Sequence, residues 1–141
     1  MTPTGAEPIT GGCLCGGVRY TVTGPLRDIV ACHCEQCRRS SGHFVAATAC
    51  RQKYFTLDKQ ETLRWYSAVK GFRRGFCNAC GSSLFFEEEG GERISIAAGT
   101  LDKPQGLRIG AHIFTAEAGD YYTIEAGVPQ SAGIEHTVVL P

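Results

Sequence analysis

Along this chain the apolar positions come in short runs that alternate with polar ones, and turn-forming residues separate the runs. Val18-Arg19-Tyr20-Thr21-Val22 alternates with period two, the pattern of a half-buried strand. Further strands are predicted at Asp28–Cys32, Phe44–Ala49, Tyr54–Leu57, Thr62–Tyr66, Phe72–Cys77, Leu84–Glu87, Arg93–Ala97, Gly110–Phe114 and Tyr121–Ile124. The polar stretch Asp58-Lys59-Gln60-Glu61 reads as a connection between two of them, and Gly90-Gly91 as a hairpin turn. A spacing of about 8–12 residues between turn signals fits an all-β sandwich or a barrel-like fold. No segment sustains a long helical apolar period, so helix is expected to be sparse. A short helical turn is expected from Glu35 through Arg39.

At 141 residues the chain is expected to form one domain, long enough to bury a core without disulfide staples. Lys+Arg and Asp+Glu both number 14, and there is no basic tail, which argues against a nucleic-acid-binding domain. No apolar stretch approaches roughly 18 residues, so no membrane span is expected. Met1 to Thr10 lacks a positive region followed by an apolar run, so it does not read as a signal peptide. The expectation is therefore a reducing compartment, the cytoplasm, where thiols stay reduced. In that setting the 8 cysteines read as metal ligands before disulfides.

Seven of those cysteines fall into one full set and one unfinished set. Cys13-Leu14-Cys15 and Cys77-Asn78-Ala79-Cys80 together supply four thiolates. On a strand, Cys13 and Cys15 would share a face, and the flanking Gly11, Gly12, Gly16 and Gly17 would let the backbone turn tightly around an ion. Cys77-x-x-Cys80 followed by Gly81 has the form of half a zinc site. An ion held by both halves would close a long loop and contribute directly to folding. The competing readings are disulfides between the pairs, or a redox pair at Cys77 and Cys80, which ordinarily needs a βαβ context.

Cys32-His33-Cys34-Glu35-Gln36-Cys37 supplies only three thiolates. A tetrahedral ion with three protein ligands keeps one position open, as catalytic metals do and structural metals do not. A small thiol could enter that position, ionise there and be held for reaction. The alternative is a second structural site completed by Cys50, His43 or His112. His33 is expected to turn away from the ion, and Cys50 reads most simply as a buried free thiol.

Gly-Gly-Cys13-Leu-Cys15-Gly-Gly-Val-Arg-Tyr20, then Cys32-His-Cys34-x-x-Cys37-Arg-Arg-Ser-Ser-Gly42, then Phe76-Cys77-x-x-Cys80-Gly-Ser-Ser-Leu84 resembles the glutathione-dependent formaldehyde-activating enzymes, a family that also includes centromere protein V. His112-Ile-Phe114 and Tyr121-Tyr122 before Pro129 resemble its C-terminal pattern. The likeness spans residues 8–130 and leaves 1–7 and 131–141 as loosely held ends. It implies a mainly β, two-sheet zinc-binding fold of the β-tent type with little helix. It also implies two zinc ions per chain: a structural one on Cys13, Cys15, Cys77 and Cys80, and a catalytic one on Cys32, Cys34 and Cys37. The implied activity is carbon–sulfur lyase chemistry, in which formaldehyde and glutathione join as S-hydroxymethylglutathione or separate again. The stretch Thr115-Ala-Glu-Ala-Gly-Asp120-Tyr-Tyr-Thr departs from the lysine- and tryptophan-bearing family pattern, which bears on substrate and not on zinc.

The expected partner is accordingly a small thiol such as glutathione. Arg38, Arg39, Arg73 and Arg74 could clamp its carboxylates through forked hydrogen bonds. At least two of the four are expected instead to offset zinc–thiolate charge or to face solvent. Ser40 and Ser41 read as polar contacts or equally as a turn. Phe44, Trp65, Phe72 and Phe114 read as core or as pocket wall. The rival functional reading is a non-catalytic binding module stabilised by zinc.

Overall fold

The structure is a computed structural model and describes residues 7–141. The expected loose stretch 1–7 therefore lies, apart from Glu7, outside the described residues. Among the described residues ten strands and one α-helix follow in chain order. They are β1 (Ile9–Gly12), β2 (Val18–Val22), β3 (Ile29–Cys32), α1 (Glu35–Ser41), β4 (Val45–Arg51), β5 (Phe55–Gln60), β6 (Leu63–Tyr66), β7 (Phe72–Cys77), β8 (Ser83–Glu88), β9 (Arg93–Ala97) and β10 (Ile109–Ile113). They form a three-stranded sheet, β1-β2-β5, and a seven-stranded sheet, β10-β3-β4-β9-β8-β7-β6. All neighbours are antiparallel except β10 and β3. The fold is mainly β with two sheets and little helix, as the sequence indicates.

Alternation in β2 turns Val18, Tyr20 and Val22 inward, where all three are fully buried. They meet Cys50 of β4, Leu84 and Phe85 of β8, and Ile94 and Ile96 of β9 in one core between the sheets. Phe85 is its hub, with Tyr20 and Phe55 edge-on at 5.5 and 5.3 Å between ring centroids. Consecutive residues Leu84 and Phe85 both reach this core because the register between β7 and β8 shifts at Gly75 and Phe76, a bulge that re-aims one side chain.

Opposite this core, the other face of the seven-stranded sheet carries Val30 and Cys32 of β3, Val45 and Ala47 of β4, Arg93 and Ser95 of β9, and Arg74 of β7. Small side chains at Ala47 and Ser95 leave room above the sheet. That room is the cavity described below.

Two local predictions need correcting, and one strand, β1, was not predicted. Tyr121–Ile124 is not a strand. The outer edge of β10 is already occupied by the C-terminal chain, where His112 N–H donates to Pro129 O at 2.9 Å and Phe114 N–H to Gly133 O at 2.8 Å. Asp58–Gln60 is not a connection but the end of β5, where Val18 and Arg19 of β2 pair with Gln60 and Lys59. β1, a run of Ile-Thr-Gly-Gly with weak strand propensity, forms because Tyr20 packs over its Gly11 partner. The tail beyond Gln130 has no regular element, but Arg51 donates from Nε to Pro141 O at 3.1 Å. No helix is long and apolar enough to cross a membrane among the described residues.

Candidate metal centres and their cavity

Cys13, Cys15, Cys77 and Cys80 converge with all sulfurs within 4.8 Å of one another. Cys13 Sγ stands 3.7 Å from Cys15 Sγ, and Cys15 Sγ stands 3.6 Å from Cys77 Sγ. With metal–sulfur bonds of about 2.3 Å, a regular tetrahedron has edges of about 3.8 Å, so the spacing fits an ion inside the quartet. The two cysteines of the first half do not share a strand face. They bracket a turn after β1, closed by Gly16 N–H to Cys13 O at 3.2 Å, with Gly16 at φ 81°. Leu14 between them is expelled to solvent. The second half is the turn after β7, where Gly81 N–H donates to Cys77 O at 2.8 Å.

Donors surround these sulfurs. Val18 N–H points at Cys13 Sγ at 3.2 Å, and Cys80 N–H at Cys77 Sγ at 3.4 Å. Thr62 Oγ1 lies 3.1 Å from Cys77 Sγ and Ser82 Oγ 3.1 Å from Cys80 Sγ. The Ser82 hydroxyl and then its backbone N–H push the Cys80 thiol down to about 5. The Thr62 hydroxyl likewise holds Cys77 below the usual thiol range. Cys77 and Cys80 thus favour the thiolate form that binds metal, whereas Cys15, despite a hydrogen bond from the Gly17 backbone, is held up to about 11 by the neighbouring thiols of Cys77 and Cys13.

Cys32, Cys34 and Cys37 form the second group, again with sulfurs within 4.8 Å of one another. Here too the geometry is a strand-to-helix junction rather than alternation alone. Cys32 ends β3, Cys34 is the N-cap of α1, and Cys37 lies in its first turn. Cys37 N–H donates to Cys34 Sγ at 3.4 Å, so the sulfur does the work of a capping oxygen. The Cys32 sulfur, and Arg74 beside it, hold Cys37 below the usual thiol range. Cys32 is held above it, first by Cys37 and then by burial. Arg74 Nη2 is 3.7 Å from Cys37 Sγ.

None of the other proposed ligands joins this trio among the described residues. Cys50 is fully buried in the core between the sheets, where desolvation pushes its thiol up to about 12. His43 is exposed and its Nδ1 meets Tyr121 Oη at 2.7 Å. His112 Nδ1 is 2.9 Å from His33 Nε2. His33 itself turns away from the cysteines, as expected, and stacks on Phe44 with centroids 4.7 Å apart.

The trio opens into a cavity of about 820 Å³. Of the four aromatic residues singled out in the sequence, Phe72 and Phe114 line it. Trp65 instead packs on Phe85 at 6.1 Å and lies under Arg73, and Phe44 packs on His33 and Tyr122. Phe114 has φ 54°, a left-handed conformation that costs a bulky residue about 1–2 kcal/mol. Strain of this sort gathers where a side chain must be aimed.

Of the four arginines, Arg39 and Arg74 line the cavity. Arg73 is committed to Glu87 at 2.6 Å. Ser41 Oγ donates to Cys37 O at 2.7 Å, and Ser40 Oγ to the same carbonyl at 3.3 Å, so both serve the helix end. Four further lining residues were not singled out in the sequence: Arg27, Arg93, Glu117 and His136. A charged residue entering an otherwise apolar strand, as Arg27 does before β3, was the one available signal.

The glutathione-dependent formaldehyde-activating enzyme family matches residues 8–117, which contain both cysteine groups. The chain belongs to that family. It is also similar to an uncharacterized lyase of Schizosaccharomyces pombe, 29% identical over 82 residues that make up 58% of this chain. That match spans 59% of the relative's own length. Among solved structures, a Rhodobacter sphaeroides protein has a similar fold, with a TM-score of 0.57 and 24% identity over 68% of this chain and 90% of that one.

Proposed function

We propose that this chain is a zinc-dependent carbon–sulfur lyase-type enzyme acting on a small thiol adduct such as S-hydroxymethylglutathione. The observation that carries this reading is the trio. Its three sulfurs lie within 4.8 Å of one another at the wall of an 820 Å³ cavity, and no fourth ligand group joins them among the described residues. Family membership and the lyase-named relative support the reaction class.

An all-sulfur donor set favours a borderline-soft ion such as zinc in both groups. The quartet would hold a structural ion, and the trio a catalytic one. Zinc held by the trio would supply a Lewis-acid centre that favours the thiolate form of a substrate thiol. The chain's own residues do the rest. Three thiolates around a dication leave a charge of minus one, which Arg74 offsets from beside Cys37. Phe72, Phe114 and Ile113 give the cavity apolar walls that limit water around the reacting atoms.

In the joining direction the thiolate sulfur adds to the aldehyde carbon. A carbon–sulfur bond forms, the carbonyl π pair moves to oxygen, and that oxygen takes up the proton the thiol gave up. In the reverse direction the same bond breaks and the sulfur leaves as thiolate. Holding the two partners together in the cavity supplies much of the advantage.

The test is exchange spectroscopy by NMR on formaldehyde and glutathione, with and without the zinc-loaded protein. The protein should accelerate formation of S-hydroxymethylglutathione, and the Cys37→Ser variant should not. Equal exchange with wild type, variant and buffer would leave the chain as a binding module stabilised by zinc.

A further inference from the structure

Arg27 is buried to 4% exposure immediately before β3, yet no carboxylate pairs with it among the described residues. Arg19, Arg39, Arg51 and Arg73 each have an acidic partner. Arg27 has only carbonyls: Nε donates to Asp28 O at 3.0 Å and Nη2 to Ala47 O at 2.8 Å. Its backbone is pinned as well, with N–H to Ala49 O at 2.9 Å and its carbonyl accepting from Thr48 Oγ1 at 2.6 Å. The guanidinium is therefore fixed in place and lines the cavity.

Two more basic groups line the same region. Arg93 stands on β9, and His136 comes in from the C-terminal tail. Neither forms an ion pair among the described residues. Burial and then Arg93 pull Arg27 down to about 10, and burial followed by Arg27 and Arg93 lowers His136. The acids that line the cavity are engaged around α1. Glu35 pairs with Arg39 at 3.0 Å, and Glu117 Oε1 accepts Glu35 N–H at 3.1 Å. A buried cation without a counter-charge is costly, and an anionic ligand removes that cost.

The distance suits one molecule reaching both places. Cys32 lies opposite Val45 on β4, and Arg27 bonds to Ala47 two residues further along, roughly 7 Å away along the strand. A carboxylate a few bonds from a thiol sulfur spans such a gap.

We propose that Arg27, assisted by Arg93 and His136, anchors a carboxylate of the substrate, so that the cavity selects small thiols that carry one. This rests on the reading of the trio as the place where the thiol reacts. Arg27 is then a specificity-determining residue, its forked donors matching a carboxylate and its position setting how far the sulfur reaches.

Titration calorimetry on the zinc-loaded full chain tests it, with glutathione and 3-mercaptopropionate each compared with its ester. The free acids should bind at least about 10-fold more tightly than the esters. Arg27→Gln should abolish that preference by weakening the acids alone, and Arg27→Lys should restore part of it. Arg93→Gln, an exposed change, should reduce the preference without touching the fold. Wild-type protein that binds acids and esters equally, or binds none of the four, overturns the proposal without any variant. So does an Arg27→Gln protein, folded and zinc-loaded, that keeps the wild-type ratio. An acid preference without acceleration of formaldehyde exchange would sink the lyase reading and leave the anchor standing. Acceleration without the preference would do the reverse.

Discussion

His33 Nε2 lies 2.9 Å from Nδ1 of His112, and both rings are buried. Burial first, and then the neighbouring His112 and His43, hold His33 down to about 4, so its ring is neutral at pH 7. A neutral ring has one N–H, which fixes the direction of the chain of bonds. Tyr122 Oη lies 2.5 Å from His33 Nδ1; with the tyrosine hydroxyl as donor, the His33 proton sits on Nε2 and is donated to His112. His112 Nε2 faces Glu125 Oε1 across 3.7 Å and has no hydrogen-bond partner among the described residues. Because His33 stands between Cys32 and Cys34, this relay holds the loop that presents two of the trio's sulfurs.

Breaking the relay should show in stability. His112→Leu leaves the His33 N–H buried without an acceptor, a loss of about 1–3 kcal/mol. His112→Gln offers a carbonyl oxygen in its place and should lose less. Thermal denaturation of the two variants distinguishes them, and identical melting temperatures would refute the assigned proton positions.

The two cysteine groups should fail differently. Cys77→Ser removes a ligand from the quartet that ties β1 to β7, and structural sites of this kind carry on the order of 10 kcal/mol of folding energy. That variant should lose its near-ultraviolet circular dichroism and most of its metal. Cys37→Ser should keep the fold and lose one zinc, measured by mass spectrometry under native conditions. A Cys37→Ser protein that unfolds as Cys77→Ser does would contradict the division of roles.

Gly11 has no space for a methyl group. A Cβ there would meet the ring of Tyr20, its cross-strand partner, and would lie 2.5 Å from Thr100 O. Tyr20 cannot yield easily, since it is fully buried and bonded to Thr100 Oγ1 at 2.8 Å. Gly11→Ala should therefore destabilise by about 1–3 kcal/mol in urea unfolding. A change within error would mean that β1 can shift away from β2.

Alkaline pH should weaken the fold through Cys50 and Tyr20. Burial raises Cys50 from 9.0 to about 12 and is the leading cause of the rise of Tyr20 from 10.0 to about 12. In the unfolded chain both groups lose their protons at the lower values. Their contribution to stability is complete below pH 9 and is lost as the pH climbs from 9 towards 12. Cys50→Ala should remove the earlier part of that decline in denaturation curves across the range. At pH 8, iodoacetamide should leave Cys50 unmodified in the native protein.

Much of the fold was legible because strands with one buried face announce themselves. β2 lies where the alternation of Val18–Val22 put it, and β7 and β9 lie at the β-prone runs Phe72–Cys77 and Arg93–Ala97. The failures share a cause. β1 and the end of β5 are held by a partner strand rather than by their own residues, and Tyr121–Ile124 looks like a strand but finds the edge of β10 already taken by the C-terminal chain. The cysteine groups were legible because ligand spacing is local within each motif. The turn and helix-cap geometry that presents them was not, since it depends on Gly16 and on where α1 begins. Arg27 escaped notice because nothing local says that a cation is buried, or that its neighbours are carbonyls.

Cys15 and Cys77 meet across 62 residues of chain, whereas the trio is complete within six positions of Cys32. During synthesis on the ribosome, the trio's sulfurs emerge almost together and can capture an ion before any sheet exists. The quartet must wait until residue 80 has left the exit tunnel and the turn after β7 has met the turn after β1. An ion held there would therefore report that the turns after β1 and β7 have met, and its loss to a chelator would accompany their parting.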